Sequence, residues 1–191
     1  QYQYRTGWPE PPLSGNIGLI VSLHRASGYA QEGTDFITIT TTGNAEDWGD
    51  LNSNKDGGGG FASSTRGVFG GNTSNSNVIE YLTVARYSIG SSANTTRALW
   101  FGGDDGSGKK DVIDYVTISS TGNATDFGNL SSVRERVGGL SSATRCCMGG
   151  GLTSTNIIEY VTISSTGNVT DFGDLTVARD LPVGLSNTTR G

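Results

Sequence analysis

Short apolar runs alternate with polar turns along most of this chain. Examples are Val-Ile-Glu-Tyr-Leu ending at Leu82, Val-Ile-Asp-Tyr-Val ending at Val116, and Asn156 to Ile163. Each mixes β-branched and aromatic residues and is bounded by Gly, Asn and Ser clusters, which predicts strands. No segment keeps a 3.6-residue apolar period over 11 residues, so essentially no long helix is expected.

The pattern repeats. Residues 115–130 read Tyr-Val-Thr-Ile-Ser-Ser-Thr-Gly-Asn-Ala-Thr-Asp-Phe-Gly-Asn-Leu, and residues 160–175 differ from them only at Val169 and Asp174, an offset of 45. An earlier copy runs from Phe36 to Leu51. A second block ends in Arg66, Arg97, Arg145 and Arg190, with Arg25 as a degenerate fifth copy. An apolar run and a glycine pair follow the arginines, as in Trp100-Phe101-Gly102-Gly103 and Cys147-Met148-Gly149-Gly150.

One unit reads as four strands. Gly138-Gly139-Leu140 leads into a strand ending at the double glycine. A polar loop, the strong strand 156–163, a tight turn at Thr166-Gly167-Asn168 and a fourth strand carrying Asp171-Phe172 follow. Thr176 to Arg179 leads into the next unit. Four strands per ~45 residues is the arithmetic of a propeller blade. Such a unit cannot cover its own two apolar faces, and stacking against neighbours does so. The glycine pair would let neighbouring backbone approach where a side chain would clash.

The order Arg, apolar strand, Gly-Gly, polar loop, Ile-Glu-Tyr, turn, aromatic after Asp, Leu, then Ala-Arg resembles the kelch-type β-propeller repeat. Trp48, Phe127 and Phe172 hold its Trp position. The wording Val-Thr-Ile-Ser-Ser-Thr-Gly-Asn-Ala-Thr-Asp-Phe-Gly is similar to repeats in virion structural proteins of marine tailed phages, cyanophages especially. The resemblance covers roughly residues 20–191. It implies an all-β fold: a kelch-like β-propeller, or part of one, with about four to five four-stranded blades. The repeats are expected at about 17–51, 52–86, 87–130 and 131–175, with a partial copy at 176–191. One blade is expected to be shortened, because Tyr81 and Tyr115 are 34 apart where Tyr115 and Tyr160 are 45 apart. Residues 1–16 form no clear repeat, and Tyr2, Tyr4 and Trp8 mark them as a docking arm. The last copy stops at Arg190-Gly191, so the ring is either open, closed by another segment, or completed by a neighbouring chain.

Composition narrows the functional classes. With 13 Lys+Arg against 18 Asp+Glu and a net charge of -5, no basic nucleic-acid footprint exists. No run approaches the ~18 apolar residues of a membrane span, so membrane insertion is not expected. The chain begins with Gln1, which suggests a processed product or a fragment, and no signal peptide is visible. Cys146 and Cys147 are adjacent and read as two small hydrophobes in a strand, consistent with assembly in a reducing cytosol.

Candidate chemistry is sparse. His24 is the single histidine and has no metal or catalytic company. Glu80, Asp114 and Glu159 recur between Ile and Tyr, which reads as an exposed strand face or a surface ion pair with a repeat arginine. Arg66, Arg97, Arg145 and Arg190 are the expected partners; alternatively they bond backbone carbonyls between blades. Residues 52–63 loosely follow the spacing of a calcium loop but end on Ser63, and Asp104 to Asp111 reads as a solvated hairpin tip. The glycine runs lack the Gly-Lys-Ser/Thr ending of a phosphate loop. Six Asn-X-Ser/Thr sequons follow from the Ser/Thr richness and the repetition. No catalytic residue, cofactor or metal is expected.

Three functions are in view. The resemblance favours a non-enzymatic virion structural protein, a capsid decoration or knob or a tail-fibre adhesion module. It would assemble in the host cytoplasm and contact other virion proteins of capsid or tail, copies of itself, or a host surface glycan. The alternatives are a cellular kelch-type protein-interaction module and, third, a propeller-fold glycosidase, which would need a unique carboxylate pair.

Overall fold

The computed structural model describes residues 17–21, 33–38, 42–50, 59–62, 67–70, 86–120, 122–152, 155–187 and 190–191. These residues are all-β, with no helix among them. The first strands are β1 (Ile17–Val21), β2 (Gly33–Thr38) and β3 (Glu46–Asp50), which form a three-stranded sheet, followed by the pair β4 (Gly59–Ala62) and β5 (Gly67–Gly70). Two antiparallel four-stranded sheets follow. One is β6 (Gly90–Ala93), β7 (Arg97–Phe101), β8 (Val112–Thr117) and β9 (Thr125–Asn129). The other is β10 (Gly138–Ser141), β11 (Arg145–Gly149), β12 (Thr155–Thr162) and β13 (Thr170–Arg179).

Chain order equals spatial order in both large sheets, so each is a meander of hairpins. Their registers correspond residue for residue. Trp100 stands opposite Asp114 as Met148 stands opposite Glu159. Both carry a bulge beside the carboxylate, between Ile113 and Asp114 and between Ile158 and Glu159. Gly128 and Gly173 sit at that bulge with φ of 150° and 137°, a conformation that favours glycine.

The core lies between the sheets. On β7, Ala98, Leu99, Trp100 and Phe101 are all fully buried, so both faces of this strand are covered. Leu99, Phe101, Ile113 and Phe127 meet Cys146, Met148, Val161 and Ile163 of the next sheet in one cluster. Ala98 and Trp100 point the other way and pack with Ile89 and Ile118. Neither four-stranded sheet could bury its apolar side chains alone, and burial of this kind contributes roughly 1.5–3 kcal/mol per large side chain.

Two expectations are corrected. The tight turn is not at Thr166-Gly167-Asn168. It lies earlier, where Ser165 N–H donates to the Thr162 carbonyl at 3.1 Å. Gly167 to Val169 instead run along the neighbouring β9. Gly167 N–H donates to Phe127 O (2.7 Å) and Val169 N–H to Asn129 O (3.1 Å). Thr176 to Arg179 belong to β13 rather than to a separate connector, with Arg179 opposite Thr155. The docking arm 1–16 and the region of the shortened blade, 71–85, lie outside the described residues.

Candidate functional site: the contacts between repeats

The repeated carboxylates are buried rather than exposed: Asp114 is 0 % and Glu159 2 % accessible. Their partners are not the arginines expected from the sequence. Asp114 Oδ2 accepts from Arg86 Nη1 at 2.6 Å, and Glu159 Oε2 accepts from Arg134 Nη2. Each pair joins the segment leading into a four-stranded sheet, just before β6 or β10, to the third strand of that same sheet, β8 or β12. Glu159 Oε1 also accepts from Ser131 N–H at 3.2 Å. Burial pushes the Arg134 guanidinium below its usual range, and the neighbouring Glu159 opposes that shift.

The glycine pairs complete this joint. Arg86 Nε donates to Gly102 O (2.7 Å), and Arg134 Nη1 to Gly150 O (3.3 Å). Left-handed backbone at Gly102 and Gly103, with φ of 63° and 102°, lets other backbone in close. A Cβ on Gly103 would lie 2.7 Å from the Tyr87 carbonyl, and one on Gly150 would lie 2.8 Å from that of Arg179. The expected close approach at the double glycine is therefore observed. Both carboxylates are shut off from solvent, each against a guanidinium. These acids fix the segment entering each sheet to that sheet's third strand, and removal of one partner leaves an uncompensated buried charge.

The repeat arginines act differently. Arg97 Nη1 donates to Ile163 O of the next sheet at 2.8 Å, which is the carbonyl-bonding alternative. Its guanidinium also lies 4.5 Å over the Tyr115 ring, which meets Phe127 edge-on at 5.7 Å. Arg145 covers Tyr160 in the same way, and Tyr160 meets Phe172. Such cation–π contacts contribute about 0.5–1 kcal/mol when exposed. Arg145 and Arg190 are exposed. Arg66, Glu80, His24, Arg25, Tyr2, Tyr4 and Trp8 lie outside the described residues, as does the Trp48 side chain.

Sequence reasoning missed Arg86 and Arg134 as the ion-pair partners, and Asn168 as an intersheet contact. Arg86, Arg134 and Arg179 recur behind Ala85, Val133 and Ala178, so the signal was present. Asn168 Oδ1 accepts the Asn129 N–H at 3.0 Å across the gap between sheets.

Other candidates resolve locally. At the tip 104–111, Asp104 Oδ1 accepts from Gly106 N–H and Asp105 Oδ1 from Ser107 N–H, at 2.7 and 2.9 Å. Lys110 pairs with Asp105 at 2.8 Å and, with the Ser107 N–H, holds its carboxyl below the ordinary range. Of the calcium-like segment only residues 59–62 are described, and they form β4. Cys146 and Cys147 are free thiols in β11; burial pushes Cys146 up to about 12 and raises Cys147 as well. Among the described residues, no three His, Cys, Asp or Glu side chains gather in a way that could hold a metal ion.

The last copy docks as its predecessors do. Ser141 Oγ donates to Ala93 O, and 45 residues later Ser186 Oγ donates to Ser141 O at 2.6 Å. Gly139 abuts the Ser91 backbone, as Gly184 abuts the Gly139 backbone. Residues 182–186 thus lie along β10 as β10 lies along β6. Beyond them the surface is apolar: Phe172 is 55 %, Val183 87 % and Leu185 81 % exposed. Comparison of the chain with protein-family models and with curated protein sequences yields no match to either.

Proposed function

We propose that this chain is a non-enzymatic structural protein of a tailed-phage particle, a capsid decoration or a tail-fibre adhesion module. Its repeats are blades of a small kelch-like propeller. The observation that carries the non-enzymatic reading is the fate of the repeated acids. Asp114 and Glu159, the acids that recur with the repeat, are sealed in ion pairs that tie each four-stranded sheet to the segment leading into it. The virion role is supported by the wording of the repeats. The building plan suits it, since a stiff all-β frame presents short polar loops such as 104–111 for contact with other virion proteins or a host glycan. The test is mass spectrometry and immunogold labelling of purified particles. Stoichiometric signal on capsid or tail is expected; recovery only from the soluble lysate overturns the assignment. Within that reading residues 1–16 dock the protein onto the particle through Tyr2, Tyr4 and Trp8. A chain lacking them is expected to fold and to be lost from particles, and normal incorporation removes the idea.

A further inference from the structure

Residues 122–124, Gly-Asn-Ala, and residues 167–169, Gly-Asn-Val, are the same stretch in two copies of the repeat. The second copy grips a strand. Gly167 N–H donates to Phe127 O and Val169 N–H to Asn129 O, while Asn168 Oδ1 accepts the Asn129 N–H. Three hydrogen bonds thus read two carbonyls and one N–H along the edge of β9. The first copy has the same backbone conformation, with φ of 149° at Gly122 against 155° at Gly167. Gly122 and Asn123 are exposed. Among the described residues nothing accepts from the Gly122 or Ala124 N–H, and nothing donates to Asn123 Oδ1. An open cleft lies along this segment, lined by Val116, Thr117, Ser120 and Asn123 among others.

We propose that residues 122–124 are a docking site for an extended strand of another polypeptide, held as residues 167–169 hold β9. The inference rests on the contact between the two four-stranded sheets and is independent of the virion role.

What β9 presents to residues 167–169 defines the occupant. A first residue, in the place of Phe127, gives its carbonyl to Gly122. The residue two further on, in the place of Asn129, gives its N–H to Asn123 and its carbonyl to Ala124. Proline has no N–H and is excluded there. The residue between them must be glycine. At Gly128 φ is 150°, and a Cβ would collide with the Gly167 carbonyl and lie 2.9 Å from the Asn168 nitrogen. The first side chain is aromatic, because Phe127 packs with Val161 and Val169. Their counterparts are Val116 and Ala124, and the smaller alanine leaves room for a ring at least as large. The occupant is therefore an aromatic residue, a glycine and a residue other than proline, in extended conformation. Strand addition of this kind draws affinity from main-chain hydrogen bonds and specificity from the side-chain places between them.

The test is a titration of the full 191-residue chain with the capped peptide Thr-Asp-Phe-Gly-Asn-Leu, the sequence of residues 125–130, read by amide NMR shifts of the labelled protein. Saturable shifts centred on Gly122 and Ala124 are expected, with a dissociation constant of about 1 mM. A Gly→Ala change in the peptide is expected to weaken binding roughly ten-fold, through backbone strain and the clash. Asn→Pro in the peptide removes the donor, and a loss of roughly five-fold is expected. Asn123→Ala in the protein, a change at an exposed site, should leave the fold intact and weaken the original peptide by a similar factor. Equal binding of the alanine peptide overturns the proposal, as do saturable shifts confined to other residues. Absence of any shift at roughly ten times the expected dissociation constant overturns it too. Shifts at Gly122 and Ala124 that follow protein concentration without peptide assign the site to a second copy and overturn a different partner.

Discussion

Phe127 and Phe172 hold one place in two copies of a unit, yet the first is 2 % and the second 55 % exposed. Both meet the Tyr of their own sheet edge-on, so the difference does not arise within a sheet. It arises because β12 and Val169 lie against Phe127, whereas the described residues place no further sheet over Phe172. Phe127 is thus buried by the next sheet and not by its own. The energetic weight of the fold sits in the joints, and the sharpest experiments compare a joint that is made with the equivalent place at the end of the array.

The ion pair is the largest expected effect. Asp114→Ala leaves Arg86 buried without its charge partner, and a loss of about 3–5 kcal/mol is expected. It would be read as a shift of the urea midpoint at unchanged slope. A loss below about 1 kcal/mol would show that Arg86 escapes to water and that the joint is loose. Next come the two phenylalanines. Phe127→Ala should cost about 3–5 kcal/mol, as for other buried Phe truncations. Phe172→Ala, at a ring that no described sheet covers, is expected to stay within about 0.5 kcal/mol, typical of a surface site. A cost comparable to that of Phe127→Ala would mean that something covers this face.

Gly128 and Gly173 sharpen the comparison further. Both have strongly positive φ, but only Gly128 has the Gly167 backbone where a Cβ would fall; Gly173 has nothing within 4 Å. Gly128→Ala is expected to cost roughly 1–3 kcal/mol, from backbone strain plus the clash. Gly173→Ala should show the strain alone. Equal losses would place the whole effect in φ and none in the contact between sheets.

Cys146 gives a pH-dependent reading of the same joint. Its thiol, packed between sheets, is raised by burial to about 12 from the ordinary 9.0. The folded state therefore holds this proton more tightly than the unfolded chain does. Its contribution is complete below pH 9 and is lost progressively as pH rises from 9 towards 12. At pH 10, one unit above the unfolded value, the expected loss is on the order of 1 kcal/mol. Cys146→Ala should flatten that slope between pH 8 and 10; an unchanged slope would assign it to other groups.

The repeat, the strands and the lack of helix among the described residues were legible because β-branched residues, glycine turns and a copied 16-residue stretch are local signals. The partners of Asp114 and Glu159 were not read correctly, for a physical reason. Two sets of arginines recur at similar intervals, and a one-dimensional pattern does not say which set faces inward. Arg97 and Arg145 sit at strand starts and lie over tyrosine rings, whereas Arg86 and Arg134 sit just before β6 and β10, in the segments that lead into each sheet. The turn was misplaced for a related reason. Thr-Gly-Asn has the chemistry of a hairpin turn, but its glycine and asparagine serve a neighbouring sheet that periodicity does not reveal. Burial at the array's end was equally hidden, since Phe127 and Phe172 lie in nearly identical local sequence.

Asn168 provides the smallest and most local test. Its side-chain oxygen accepts the Asn129 N–H across the gap between sheets, while Asn123, the same residue one repeat earlier, is exposed. Asn168→Ala should cost about 1 kcal/mol, the net contribution of one hydrogen bond. Asn123→Ala should stay within about 0.5 kcal/mol, as an ordinary surface change does. The sequence, in which Tyr81-Leu82 runs into Val84-Ala85-Arg86 with no Asp-Phe-Gly stretch, leads to the expectation of a shortened repeat before β6, which would leave Asn123 no fourth strand to grip. If Asn123→Ala proved as costly as Asn168→Ala, a partner strand would have to exist there, and the expectation of a shortened repeat would fall.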